Sequence, residues 1–115
     1  MAKDDINAFM GSGTFFTGKL SFQGTVRIDG EFTGEIASEG ILIAGKDSKI
    51  EGNINVGELY LSGNFTGDVV AKKSITIHRG GVLKGKVYCP SLVVEDGAIL
   101  DGNINMIKKE ITTEE

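Results

Sequence analysis

The chain has 115 residues, of which 12 are basic and 16 acidic, giving a net charge of −4. That bounds it to one small, mildly acidic domain and disfavours nucleic acid as a partner. No apolar run is long enough to cross a bilayer, and the N-terminus lacks the basic-then-apolar layout of a secretory signal, so a cytoplasmic protein is expected. Cys89 is the single cysteine, which excludes an intrachain disulfide.

Seventeen glycines against one proline, with no tryptophan, suit a backbone that turns many times per hundred residues. No long stretch sustains a 3.6-residue apolar period, so the expected class is all-β. Residues 1–13 read as an N-terminal tail. Within it Ile6, Phe9 and Met10 follow the i, i+3, i+4 spacing of one helical face, and the segment is either a disordered end or a weak membrane foot. Asp4 and Asp5 count against lipid contact.

A five-residue pattern (apolar, any, Gly, any, apolar) then recurs six times. Its copies are Phe16-Thr17-Gly18-Lys19-Leu20, Phe32-Thr33-Gly34-Glu35-Ile36, Ile50-Glu51-Gly52-Asn53-Ile54, Phe65-Thr66-Gly67-Asp68-Val69, Leu83-Lys84-Gly85-Lys86-Val87 and Leu100-Asp101-Gly102-Asn103-Ile104. The glycines stand 16, 18, 15, 18 and 17 residues apart. So short a period, with strand-like alternation inside each unit, predicts a solenoid of about six stacked coils over residues 14–107.

In the first unit Leu20, Phe22, Val26 and Ile28 share one parity, while Lys19, Ser21, Thr25 and Arg27 take the other. Two residues past each later motif, Ser38, Val56, Ala71, Cys89 and Met106 extend one core column. A second column pair is expected from Val26 and Ile28, Ile41 and Ile43, Leu59 and Leu61, Ile75 and Ile77, and Leu92 and Val94. Asp29-Gly30, Ala44-Gly45, Ser62-Gly63, Arg79-Gly80-Gly81 and Asp96-Gly97 mark corners, so each coil is about three short strands and three bends. Length differences lie mostly after the second column, on one side of the prism. Residues 108–115 read as a disordered polar tail.

Hexapeptide-repeat acyltransferases hold a near-constant eighteen residues per coil in a left-handed helix, whereas this coil length wanders, which favours a right-handed parallel β-helix. The run from Phe15-Phe16-Thr17-Gly18-Lys19-Leu20 through Val26-Arg27-Ile28-Asp29-Gly30 to Phe32-Thr33-Gly34-Glu35-Ile36 resembles the bactofilins, bacterial polymer-forming cytoskeletal proteins. The likeness spans roughly residues 13–107. It implies a right-handed β-helical core with short unstructured tails, assembling end to end into filaments without nucleotide. It further implies a membrane-associated scaffold for cell shape or protein localisation, with itself, scaffold clients and inner-membrane lipid as partners. The short apolar segment that targets many members to membrane corresponds here to Ile6, Phe9 and Met10.

Polymerisation is also expected on physical grounds. A solenoid ends in two coils with unpaired backbone edges and uncovered apolar columns, and no long cap is visible at either end. Contacts are expected from Phe15, Phe16, Leu20 and Phe22 at the first coil, and from Leu100, Ile104, Met106 and Ile107 at the last.

Nothing in the chain suggests catalysis, a metal or another cofactor. His78, the one histidine, cannot build a multi-histidine zinc site, and Cys89 takes the buried parity. Lys72, Lys73, Arg79, Lys84 and Lys86 are interleaved with acids, Tyr60 and Tyr88 take the outward parity, and no glycine-rich loop links a strand to a helix to cradle a phosphate. Two other classes remain as alternatives: a trimeric left-handed enzyme of the hexapeptide type, and a monomeric ligand-binding or ice-binding solenoid. The first requires intersubunit histidines. The second requires a regular outward threonine ladder, which Glu51, Lys84 and Asp101 interrupt.

Overall fold

Six recurrences of one glycine-centred motif impose six strands that lie directly over one another. The computed structural model describes residues 8–106. Its strands, in chain order, are β1 (Ala8–Met10), β2 (Phe15–Phe22), β3 (Thr25–Ile28), β4 (Glu31–Ser38), β5 (Ile41–Ala44), β6 (Lys49–Leu61), β7 (Asn64–Ile77), β8 (Val82–Cys89), β9 (Leu92–Val94) and β10 (Ile99–Met106). Every pairing is parallel. The motif strands stack as β2, β4, β6, β7, β8 and β10, with each motif glycine opposite the next. The intervening strands stack as β1, β3, β5, the second half of β6, the second half of β7, and β9. The result is a parallel β-solenoid of about six turns.

Each turn has three sides. The motif glycine is the corner between the first and second sides, and the reason only glycine fits is geometric. Gly34 has φ of 140°, and a Cβ there would lie 1.8 Å from the carbonyl oxygen of Gly18 in the turn before. The bend lets residues four apart, such as Phe32 and Ile36, both point inward while the glycine between them takes the corner.

Inward columns line all three sides of the prism. Phe32, Ile50, Phe65 and Leu83 line the first side; Ile36, Ile54, Val69 and Val87, followed by Val56, Ala71 and Cys89, line the second; Val26, Leu42, Leu59 and Ile75, with Ile28, Ala44, Leu61 and Ile77, line the third. Burying each large aliphatic or aromatic side chain contributes about 1.5–3 kcal/mol before ordering entropy is subtracted. Ser38 takes a column position with a polar side chain, and satisfies it by donating to the carbonyl of Phe22 at 2.7 Å and accepting from the Gly40 amide at 2.9 Å.

Two expectations are corrected. In the second coil the third-side core residues are Leu42 and Ala44, not Ile41 and Ile43. Leu42 stacks between Val26 and Leu59 at 0% exposure, while both isoleucines face outward. The run Ile41-Leu42-Ile43-Ala44 is apolar on both parities, so alternation alone does not choose, and register with the neighbouring turns does. Leu42→Ala is accordingly expected to cost about 2–5 kcal/mol and Ile43→Ala less than about 1 kcal/mol, read as the difference in urea-unfolding midpoints.

The second correction concerns the N-terminal segment. Residues 8–10 do not form a helical face: Ala8, Phe9 and Met10 pair with Val26, Arg27 and Ile28 as the third side of the opening turn. Among the described residues the solenoid therefore already includes Ala8–Met10, with Met10 packed on the core and Phe9 turned out.

Turn length varies where the third side meets the first, as expected. Long corners are closed by bonds from Thr14 N to Gly11 O (3.2 Å), Ser48 N to Gly45 O (3.0 Å), Gly81 N to His78 O (2.8 Å) and Ala98 N to Glu95 O (3.0 Å). Ser48 is buried, and its hydroxyl donates to the Gly45 carbonyl at 2.6 Å. A further variation falls between the second and third sides, where the single Gly57 faces Lys72 and Lys73 and the ladder shifts register.

Candidate functional site

The terminal turns differ from the inner ones in one respect, the lack of a next neighbour. Among the described residues β1 pairs only with β3 and β2 only with β4, while β9 pairs only with β7 and β10 only with β8. One edge of each of these strands therefore has N–H and C=O groups with no strand beside them.

Exposure measures the missing turn. Ile104 is 43% exposed although Val87, the equivalent position one turn earlier, is 0%. The same step takes Cys89 from 0% to 54% at Met106, and Ile77 from 0% to 42% at Val94. Leu92 and Leu100 complete this apolar end, both half-buried against the core.

At the opposite end Phe16 is 36% exposed and stacks on Phe32, with ring centroids 5.1 Å apart and 7° between planes. Leu20, Phe22 and Met10 lie beside it, partly packed on the core.

Of the expected contact residues, Phe16, Leu20, Phe22, Leu100, Ile104 and Met106 are thus placed on the two ends. Phe15 is not: it sits on the outward column of the first side, beside Glu31, at 75% exposure. Ile107 and Ile6 lie outside the described residues. Sequence reasoning placed Leu92 and Val94 in a core column but missed that they, and Met10 at the other end, supply the third side of each end. Ala8 and Met10 do share one parity, and that spacing is the signal for a strand.

Among the described residues no reactive constellation accompanies these faces. The five basic residues scatter around the prism, with Lys84 on the first side, Lys86 on the second, Lys72 and Lys73 at one corner and Arg79 at another. Lys72 is engaged by Glu39 in an ion pair. Cys89 is fully buried, and that burial pushes its thiol up, away from the reactive thiolate.

The polar cluster at His78 stitches one turn to the next. The Nδ1 of His78 lies 3.1 Å from one Glu95 oxygen, the other accepts the Arg79 amide at 3.1 Å, and the Tyr60 ring stacks on the imidazole at 6.1 Å. Tyr60 donates its hydroxyl to Glu58 at 2.6 Å, and that bond, with burial and the nearby carboxylate charge, raises its pKa. Glu95 is held below the ordinary carboxylate range, first by its hydrogen bond to His78 and then by the Arg79 amide.

A carboxylate with a depressed folded-state pKa stabilises above its unfolded value, and that contribution is lost as pH falls through the depressed one. The contribution of Glu95 to the corner tie is therefore lost in acid, as pH falls below the ordinary carboxylate range. In an NMR titration of the Glu95 side-chain carboxyl, His78→Ala is expected to return most of the shift and Arg79→Ala little of it, since the backbone donor survives.

The fold agrees with what the comparisons find. The family model for bactofilin, described as polymer-forming cytoskeletal, matches residues 8–105. The chain is 26% identical over 104 residues to bactofilin BacO of Myxococcus xanthus, covering 90% of this chain and 82% of that protein. It is 25% identical over 100 residues to bactofilin BacP of the same organism, covering 87% of this chain and 42% of that longer relative. Among solved structures it is similar to the bactofilin of Thermus thermophilus, determined by cryo-EM as double helical filaments. There the TM-score is 0.76 at 25% identity, over 85% of this chain and 99% of the other. With a match running from the first described strand almost to the last, this chain belongs to the bactofilin family of polymer-forming cytoskeletal proteins.

Proposed function

We propose that this protein polymerises end to end without nucleotide, through the Met10, Phe16, Leu20 and Phe22 face and the Leu92, Val94, Leu100, Ile104 and Met106 face. The observation that carries the reading is the jump in exposure between inner and terminal turns at equivalent column positions. A terminal turn offers both an unpaired strand edge and an apolar cross-section, and another copy of the same prism supplies the complement to each. Two such rods pair, as in the double helical filaments of the T. thermophilus relative. The polymer serves as a non-enzymatic scaffold in the cytoplasm, at the inner face of the cell membrane, for cell shape or for the placement of client proteins.

Membrane contact is assigned to the N-terminal segment. Met10 is packed inward and Phe9 stands on the outside of the third side, so the contact is given to the residues before β1, Ile6 among them, which lie outside the described residues. Weak lipid contacts of this kind become effective when many copies are joined in one filament.

Negative-stain electron microscopy of the purified chain in nucleotide-free buffer tests the first part, and filaments are expected. Removing residues 1–7, which leaves β1 in place, is expected to keep the filaments and to abolish their co-sedimentation with phosphatidylglycerol vesicles. A uniformly monomeric full chain contradicts polymerisation, and undiminished vesicle binding by the truncated chain contradicts the role of the segment.

A further inference from the structure

Ile41 and Ile43, which alternation assigns to the core and the structure turns outward, belong to a longer apolar stripe. On the outside of the third side one column runs Phe9, Arg27, Ile43, Tyr60, Thr76, Val93, each residue paired with the next. Phe9 is 60% exposed and Val93 49%. The one charge in the column, Arg27, has its Nε 3.2 Å from both Asp29 oxygens. In the flanking column of Thr25, Ile41, Glu58 and Ser74, the carboxylate of Glu58 accepts the Tyr60 hydroxyl. Arg27 is therefore neutralised by its neighbour Asp29, and Glu58 keeps its charge while hydrogen-bonded by Tyr60.

The other two sides are built differently. The equivalent column of the first side runs Thr17, Thr33, Glu51, Thr66, Lys84, Asp101, and that of the second Lys19, Glu35, Asn53, Asp68, Lys86, Asn103. Over both outward columns the first side carries five charges (Glu31, Lys49, Glu51, Lys84, Asp101) and the second four (Lys19, Glu35, Asp68, Lys86), against Arg27 and Glu58 alone on the third. The first side also ends on the exposed Phe15 and Ile99, and the second side's column from Ser21 to Asn105 is uncharged.

We propose that the third side is the lateral contact between the two paired rods, so that its occupant is the third side of a second copy of this chain. The inference rests on the polymerisation reading above and adds the face through which rods pair. Area selects the occupant. Six levels at ~4.8 Å by a four-residue strand at ~3.3 Å per residue give on the order of 400 Å² per copy, about half of the ~800 Å² per partner that a stable pair of proteins buries. A single partner molecule is held too weakly by such a patch, whereas a filament presents it again at every copy and sums the contacts. The stripe is apolar at both extremities, with Phe9 on the first turn and Val93 on the last, so end-to-end joining continues it from copy to copy. The occupant that repeats in step with it is another filament.

The test is the mass per length of filaments in lipid-free, nucleotide-free buffer, measured by scanning transmission electron microscopy on the full chain and on Ile43→Glu combined with Val93→Glu. Both positions face outward, and far-ultraviolet circular dichroism checks that the variant folds; Ile43→Ser with Val93→Ser serves if it does not. The expected result is single rods of half the wild-type mass per length. Unchanged paired filaments overturn the assignment. So does complete loss of filaments by a folded variant, which places the stripe in the end joint, and so does a variant that keeps paired rods but no longer binds phosphatidylglycerol vesicles, which gives the side to lipid. Absence of filaments in the unsubstituted protein contradicts polymerisation instead, so the two failures are distinguishable.

Discussion

Met106→Arg is expected to give a folded protein that does not polymerise. Met106 occupies the position stacked over Cys89 but is 54% exposed, because no turn follows it among the described strands. In the free chain the guanidinium reaches water and its stem lies along the apolar end, so folding loses little. In a joint the same charge is enclosed between two apolar cross-sections with no acid opposite it, and an uncompensated buried charge costs roughly 3–5 kcal/mol, a loss of roughly a hundredfold to a few thousandfold in association. Ile104→Arg acts in the same way from the second side of that end. Sedimentation velocity reads the outcome as a single slow species with unaltered circular dichroism. Val87→Arg, one turn inward at a 0% exposed position, separates the two effects, since it is expected not to fold at all.

Gly67→Val is expected to abolish folding through a different mechanism. Gly67 has φ of 135°, and a Cβ would stand 2.0 Å from the Gly52 carbonyl oxygen, a backbone atom that cannot move without opening the ladder between turns. Conformational strain and overpacking combine, and a loss above about 4 kcal/mol is expected. Gly80→Ala is the control. Its φ of 86° is equally left-handed, but nothing lies within 4 Å of the added carbon, so only the conformational cost of about 1–2 kcal/mol remains. Thermal unfolding of both variants reads the contrast. Gly18 belongs with the control despite heading the same column, because its nearest neighbour is the ring of Phe16 at 3.6 Å rather than the backbone of an earlier turn. The glycine column itself thus stops at an open end.

Most of this architecture is legible in the sequence because one short motif carries both the bend and the stacking. The period of the glycines and the alternation around them are enough to anticipate parallel coils, three sides to a turn, a filled interior and two uncovered ends. What is not legible follows from cases where local pattern and register disagree. Ile41-Leu42-Ile43-Ala44 is apolar at every position, so only the columns built by Val26 and Leu59 decide which residues go in. Ala8-Phe9-Met10 is too short to declare a strand unaided, and its spacing from Ile6 fits a helix as well; the edge of β3 supplies the decision. Phe15 looks like an end residue from its place in the chain, yet its parity puts it on the outside of the first side. Alternation identifies pairs of residues that share a face, whereas the neighbouring turn determines which face is the core.

Joining of open ends is expected to preserve the spacing between turns across the joint between molecules. Six turns at ~4.8 Å give an expected axial rise of about 29 Å per copy, measured from the layer lines of cryo-EM images of filaments formed in plain buffer. A rise near that value, with a strong 4.8 Å reflection along the filament axis, is the predicted result. A rise well short of the rod's own length, or a 4.8 Å reflection perpendicular to the axis, means that copies assemble side by side and contradicts the stacking of open ends.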